Sequence, residues 1–239
     1  MKITIIGGTG WLGAEIAYEA VNRGHEVVVV SRHPEDVKYT LTPDVPSLKA
    51  DAAVLDEMME VIPADTDVLV NSVIPDPFNH GLFASWCQNI VDVCKAKKIK
   101  RLVAIGDSSI FKVTENLKLN ETTFLTPFYR VWFSEHADSH EVYLRENELD
   151  WIEIVPAAKC LPDKKLEDYL VVEDRLATID PQVASLKVTD PDHYPFGDTS
   201  YISTQDFAYA VLNEIEKPQY YKTRICVCWK IKHEMYKEA

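Results

Sequence analysis

An α/β fold with a doubly wound parallel sheet is predicted by three features of the sequence. Apolar, β-branched runs alternate with amphipathic stretches of helical length through residues 1–155. The first run ends in a glycine-rich turn, Gly7-Gly8-Thr9-Gly10-Trp11-Leu12-Gly13, which opens directly into a helical pattern. A second apolar run, Val27 to Val30, then closes a βα unit of the size such a turn requires.

The elements follow in order. Residues 33–46 carry proline and read as a short helix plus loop, and 47–50 as a weak third strand ending at Asp51. A helix over 53–62 precedes a fourth strand over 67–71, with Asn71-Ser72-Val73 at its carboxyl end. The breakers Pro75 and Pro77 separate it from a long helix over 79–97, and 100–106 is a fifth strand. After a long connection over 107–126, residues 127–148 read as a helix with aromatics at its start, and 150–155 as a sixth strand. Short strands and turns are expected over 157–198, broken by Pro162, Pro181, Pro191 and Pro195. Ser203 or Thr204 caps a helix reaching 216, with Asp206 in its first turn, and 223–229 is a last strand. Strands alternating with helices imply right-handed crossovers and a parallel sheet, whose ligands bind beyond the strands' carboxyl ends. The chain reads as a single domain over 1–239, with 157–200 contributing a small cap on the substrate side.

Composition narrows the function. At 239 residues, 46% hydrophobic and 26% charged, the chain has ample core and no signature of disorder. A net charge of −13 argues against nucleic acid as a partner, because a phosphate backbone demands Lys and Arg. The apolar runs are too short to span a bilayer, and no signal peptide precedes the first strand, so a cytoplasmic monomer or homodimer is expected. The five cysteines, Cys87, Cys94, Cys160, Cys226 and Cys228, include no C-x-x-C pair and read as buried and reduced.

The glycine turn carries the chemistry. A glycine turn lets bare backbone approach a pyrophosphate, and the helix behind it offers free N–H groups and a positive dipole end. Gly8, Gly10 and Gly13 fit one spacing of the dinucleotide-binding pattern, and Gly7, Gly10 and Gly13 fit another; spacing alone leaves both open. After the second strand, where Asp or Glu usually holds a free ribose 2′-hydroxyl, the chain has Ser31-Arg32-His33. Arg32 is a permanently charged fork suited to a 2′-phosphate, so NADP (NADPH) is favoured over NAD.

On these residues the chain resembles the atypical short-chain dehydrogenases, the NAD(P)-binding Rossmann proteins that include NmrA-like, biliverdin-reductase-B-like and bacterial NADH-flavin-reductase-like members. The resemblance rests on the glycine turn, Arg101-Leu102-Val103, Tyr143 to Trp151, Val155-Pro156-Ala157 and Tyr201 to Ala208, and so covers nearly the whole chain. It implies that Thr9, Gly10, Trp11 and Leu12 meet the pyrophosphate and Arg32 the 2′-phosphate. It further implies that Asp51 and Ala52 border the adenine, that Asn71, Ser72 and Val73 line the path to the nicotinamide ribose, and that Pro156 and Ala157 approach the nicotinamide. Asp51 is equally well placed as a helix N-cap.

The departures from the family pattern bear on the reaction. No Tyr has Lys four residues on, so the usual tyrosine–lysine proton relay is absent; Tyr129 is followed at that spacing by Phe133. Ser108 and Ser109 lie just past the fifth strand, where a catalytic serine would stand or a turn would be capped. Ser108, Ser109 and Tyr129 are the catalytic candidates. Phe124, Phe128, Tyr129, Trp132 and Phe133 form either an aromatic wall for a planar substrate or a buried helix face, the latter favoured for Trp132 and Phe133. His136 and His140 have a metal-site spacing, but with Glu135, Asp138 and Glu141 a surface charge cluster is simpler, and no metal is expected. His80 faces either the pocket or a helix start. An NADPH-dependent reductase acting on a flavin, quinone or similar small acceptor is the leading expectation. The alternatives are a non-catalytic NmrA-like redox sensor and, last, an epimerase or dehydratase.

Overall fold

The computed structural model describes residues 1–35, 45–113, 117–121, 126–179 and 199–231. In chain order the elements are β1 (Lys2–Ile6), α1 (Trp11–Asn22), β2 (Glu26–Ser31), β3 (Ser47–Lys49), α2 (Leu55–Val61), β4 (Val68–Asn71), α3 (Phe83–Lys97) and β5 (Arg101–Ile105). They continue with α4 (Pro127–Arg145), β6 (Asp150–Pro156), β7 (Lys159–Leu161), β8 (Tyr169–Glu173), β9 (Tyr201–Ser203), α5 (Thr204–Glu216) and β10 (Thr223–Trp229). Short 3₁₀ turns occur at Ser108–Ile110 and Leu119–Glu121.

Eight strands form one sheet in the order β3-β2-β1-β4-β5-β6-β10-β8. Every neighbouring pair is parallel except β8, which runs antiparallel on β10. The strand order reverses at β1, with Ile6 beside Val30 on one side and Asn71 on the other, which opens a crevice at that carboxyl edge. The doubly wound expectation holds.

The strands read as continuous apolar runs because both faces are covered. Ile3, Ile5, Val27, Val29, Val103 and Ile154 pack beneath α1 and α5. The alternate positions Ile6, Val30, Leu69, Leu102 and Ala104 pack with Met58 of α2, Ile90 of α3 and Tyr143 of α4. All five cysteines are free and four are buried; burial pushes the Cys87 and Cys94 thiols up to about 12. No described helix is long and apolar enough to cross a membrane.

Three boundaries differ from the sequence reading. The helix expected from 79 begins at Phe83, because Asp76 takes hydrogen bonds from the Phe78 N–H and the Asn79 side chain, and Gly81 sits at φ +81°. The helix expected to 148 ends at Arg145, where the Glu146 carboxylate accepts the N–H groups of Glu148 and Leu149. Within 157–200 the described residues divide: β7 pairs with β9 in a separate two-stranded sheet, whereas β8 extends the main one. Residues 180–198, most of the helix-plus-loop expected over 33–46, and Phe124 lie outside the described residues.

Candidate active site

The glycine turn is fixed by close backbone approach. Gly7 adopts φ +78°, its N–H bonds to the Val30 carbonyl at 2.8 Å, and a Cβ there would lie 2.6 Å from the Ser72 carbonyl oxygen. A Cβ on Gly13 would overlap the Gly7 carbonyl, so Gly13 is what lets α1 seat against the turn. Gly7 takes the positive φ of the turn, while a Cβ on Gly8 would lie 2.5 Å from Val29 Cγ1, so the glycines of both spacings are required. Gly10 is the N-cap of α1, which has no side-chain cap and no acidic residue in its first turn. Ala14 makes the first bond back, to Gly10 at 2.9 Å, which leaves the N–H groups of Trp11, Leu12 and Gly13 ahead of the ladder. An anion suits that end.

Two cavities flank the turn. The first, of about 260 Å³, has Gly7, Thr9 and Gly10 on its floor, and Arg32, Asp51 and Ala52 on its outer wall. Arg32 is exposed at its mouth. The Ser31 hydroxyl, which also lines it, is buried without a hydrogen-bond partner among the described residues. Asp51 does not cap α2, whose N-cap is Val54; its carboxylate instead accepts the Ala53 N–H at 2.9 Å and shapes the turn before the helix. Trp86 closes the cavity from α3. Its position beside Phe83, Cys87 and Ile90 marks it only as an inward residue, so sequence periodicity could not separate it from core.

The second cavity, about 380 Å³, takes Gly10, Trp11 and Leu12 from the start of α1 and its N-cap, Asp107, Ser108 and Ser109 from beyond β5, and Pro156 and Ala157 from the end of β6 and just past it. It shares Gly10, Ser72, Val73 and Ile74 with the first, so the two form one trench across the sheet's carboxyl edge. Trp132 and Phe133 wall it, their rings stacked at 4.8 Å and 14°, and the Trp132 indole N–H bonds to the Pro75 carbonyl at 2.6 Å. For Trp132 and Phe133, favoured on sequence as a buried helix face, the structure gives a cavity wall instead. Phe128 and Tyr129 are 52% and 42% exposed and line neither cavity, although Tyr129 stacks on Phe133 from outside. Asn71 is also absent from both linings. Its amide N–H bonds to the Tyr143 hydroxyl at 3.0 Å and its oxygen accepts the Val73 N–H at 3.1 Å, so it anchors the Ser72–Val73 loop from below. Ser109 is held by its own N–H on the Asp107 carboxylate at 2.8 Å.

With this geometry, residues 7–190 match the model of the NAD(P)H-binding family. The chain belongs to that family. It is 28% identical over 234 residues, 95% of this chain and 98% of the other, to YwnB, an uncharacterized protein of Bacillus subtilis (strain 168). Among solved structures it is similar to a Bacteroides thetaiotaomicron protein provisionally named an epimerase, at TM-score 0.81 and 25% identity, over 98% and 99% of the two chains. It is similar in fold to SP1627 of Streptococcus pneumoniae TIGR4, provisionally named an NADH-flavin reductase (TM-score 0.75, 21% identity, 96% and 100% of the chains). A short-chain dehydrogenase/reductase from Veillonella parvula DSM 2008, solved in complex with NADP, shares the fold at TM-score 0.68 and 13% identity, over 95% and 94%.

The residues present fit the dinucleotide of the NAD(P)H-binding family. The uncapped α1 terminus suits a pyrophosphate, the orphaned Ser31 hydroxyl offers a ribose or phosphate partner, and the trench has room on both sides of Gly10.

The histidines on α4 are arranged differently from a surface cluster. The helix turns Glu135, His136, Ser139 and Tyr143 inward, leaving Asp138 and Glu141 to solvent or its edge. His136 is only 3% exposed and lines the second cavity, whereas the His140 Nδ1 lies 2.7 Å from Glu153 Oε2. His80 pairs with Glu135 at 3.1 Å and lines neither cavity. No three potential metal ligands cluster among the described residues. The signal for an inward polar face was legible: His136, Ser139 and Tyr143 stand at i, i+3 and i+7.

Proposed function

We propose that the chain is an NADPH-dependent reductase that passes hydride to a small planar or carbonyl acceptor, such as a flavin or quinone. The carrying observation is the continuous trench, basic at the Arg32 end and aromatic-walled at the other. The bound nucleotide supplies hydride from its nicotinamide ring. The N–H groups of Trp11, Leu12 and Gly13 bind its pyrophosphate, and Arg32 its 2′-phosphate. Asp51 and Ala52 border the adenine, Ser72 and Val73 the sugar path, and Pro156 and Ala157 the nicotinamide. Trp132 and Phe133 hold a flat acceptor and exclude water, while Ser108 and Ser109 offer hydroxyls to its polar atoms. The provisional reductase name of SP1627 and the NADP held by the Veillonella protein support the reading.

The test is a titration of the purified protein with NADPH and with NADH, followed by nicotinamide fluorescence. NADPH is expected to bind more tightly, and Arg32→Ala to weaken NADPH alone by about tenfold or more, the worth of one charge-assisted contact. Equal loss for both nucleotides would remove Arg32 from the 2′-phosphate. NADPH binding without turnover of any flavin, quinone or aldehyde would favour the sensor, which the missing tyrosine–lysine pair also suits.

A further inference from the structure

We propose that His136 is the proton donor of the acceptor cavity, protonating the acceptor as hydride reaches it. This rests on the reductase reading above. The residue is 3% exposed and is among those that line the 380 Å³ cavity. Its helix packs on the Ser108–Ile110 turn, and His136 shares the cavity lining with Ser108 and Ser109. The Phe83 ring meets the imidazole edge-on at 4.9 Å and 65°, and Phe133 lies at 6.5 Å, so aromatic neighbours restrain its orientation.

Three carboxylates bear on it. Asp107 follows β5, Glu153 stands on β6, and Glu135 belongs to its own helix; each carboxylate favours the imidazolium. His140, one turn on, brings Nδ1 to 2.7 Å from Glu153 Oε2, although neither atom has a hydrogen-bond partner among the described residues. Burial is the larger influence and pushes His136 below the ordinary histidine range. The ring is therefore largely neutral at pH 7, with an imidazolium population that grows on acidification. The other polar cavity groups are poorer acids: a serine hydroxyl gives up no proton at neutral pH without a base beside it. Tyr129 lies outside the cavity.

The step balances. Hydride arrives at one acceptor atom, an imidazolium N–H bond breaks, and an O–H or N–H bond forms at a second acceptor atom. The nucleotide is left oxidised by two electrons, and the imidazole regains its proton from solvent.

The experiment compares the full chain with His136→Gln in NADPH titration and in quinone reduction across the acid to neutral range. Unchanged NADPH affinity, a rate lower by about a hundredfold, and loss of the acid-side rise in activity are expected. A variant that binds NADPH and keeps both the rate and the pH profile overturns the proton role and leaves the reductase reading standing. Wild-type protein that binds NADPH and reduces nothing overturns both. An independent readout is the His136 ring resonance in the NADP⁺ complex, followed by NMR against pH and against a non-reducible planar quinone analogue. A midpoint below the ordinary histidine value that moves when the analogue binds is expected. A resonance blind to the analogue overturns the proposal even where His136→Gln fails to fold.

Discussion

Asp206→Ala is expected to lower the stability of the protein by about 3–5 kcal/mol, because the buried Ser203 and Trp229 donors left without a partner cost ~1–3 kcal/mol each and the part-buried Leu166 and Glu167 N–H groups lose theirs as well. The carboxylate is fully buried. It accepts the N–H groups of Leu166 and Glu167 at 2.9 and 2.7 Å, the Trp229 indole N–H at 2.6 Å and the Ser203 hydroxyl at 3.1 Å. Glu167 sits at φ +59°, a left-handed conformation costing a non-glycine residue about 1–2 kcal/mol, which its bond to Asp206 helps to hold. Asparagine cannot rescue the site. Whichever oxygen becomes an amide, a donor then faces a donor, either at Trp229 or at Leu166 and Glu167. Urea unfolding checks the stability loss. The loosened segment leads out of β7, whose Cys160 lines the second cavity, so acceptor KM is expected to rise more than NADPH affinity falls. A variant of wild-type stability would remove Asp206 as the clamp of this corner.

That clamp illustrates what sequence makes legible. Asp206 reads from sequence as a first-turn acid complementing a helix dipole, which it is, with Ser203 as the N-cap. Its partners on Leu166, Glu167 and Trp229 come from segments 23 to 40 positions away and have no local signature. The sheet was legible for the opposite reason. Strands buried on both faces must be apolar throughout, and a glycine turn at the first strand's end declares where the crevice opens. Periodicity also shows which side of a helix faces inward, but not whether it meets packed core or an open trench. Trp132 and Phe133, favoured on sequence as a buried helix face, wall the second cavity, and Asn71, expected along the sugar path, bonds to the Tyr143 hydroxyl and the Val73 N–H. A short strand at β8 falls within the stretch where short strands were expected, but its place at the edge of the main sheet was not legible, because a Tyr-Leu-Val-Val run suits a cap and a sheet edge equally.

Glu214→Ala is expected to cost a similar ~3–5 kcal/mol while sparing the site, since it strands a buried guanidinium. Arg101 Nη2 donates to Glu214 Oε1 at 2.8 Å, and the same carboxylate accepts the N–H groups of Gln219 and Tyr220, each at 3.0 Å. The Arg101 Nε and Nη1 atoms are buried with no hydrogen-bond partner among the described residues, although the Tyr221 ring lies 5.0 Å away. Burial pulls the guanidinium's pKa down and Glu214 is the largest influence opposing that pull, so removing Glu214 leaves only Tyr221, Asp150 and the Tyr220 carbonyl to offset desolvation. Replacing both residues, as in Arg101→Met with Glu214→Leu, is expected to recover part of the loss: an apolar pair incurs no charge desolvation, but the Gln219 and Tyr220 N–H groups still lose their acceptor. Arg101 opens β5 at its amino end, whereas Gly106, just past the strand's other end, lines the cavity. NADPH affinity of the folded double variant is therefore expected to stay within about twofold of wild type, additivity being the rule for sites without shared partners. Stability measured by chemical unfolding and affinity measured by titration separate the two ends of this strand. Loss of both together would mean that the pair at the foot of β5 sets the geometry at its head.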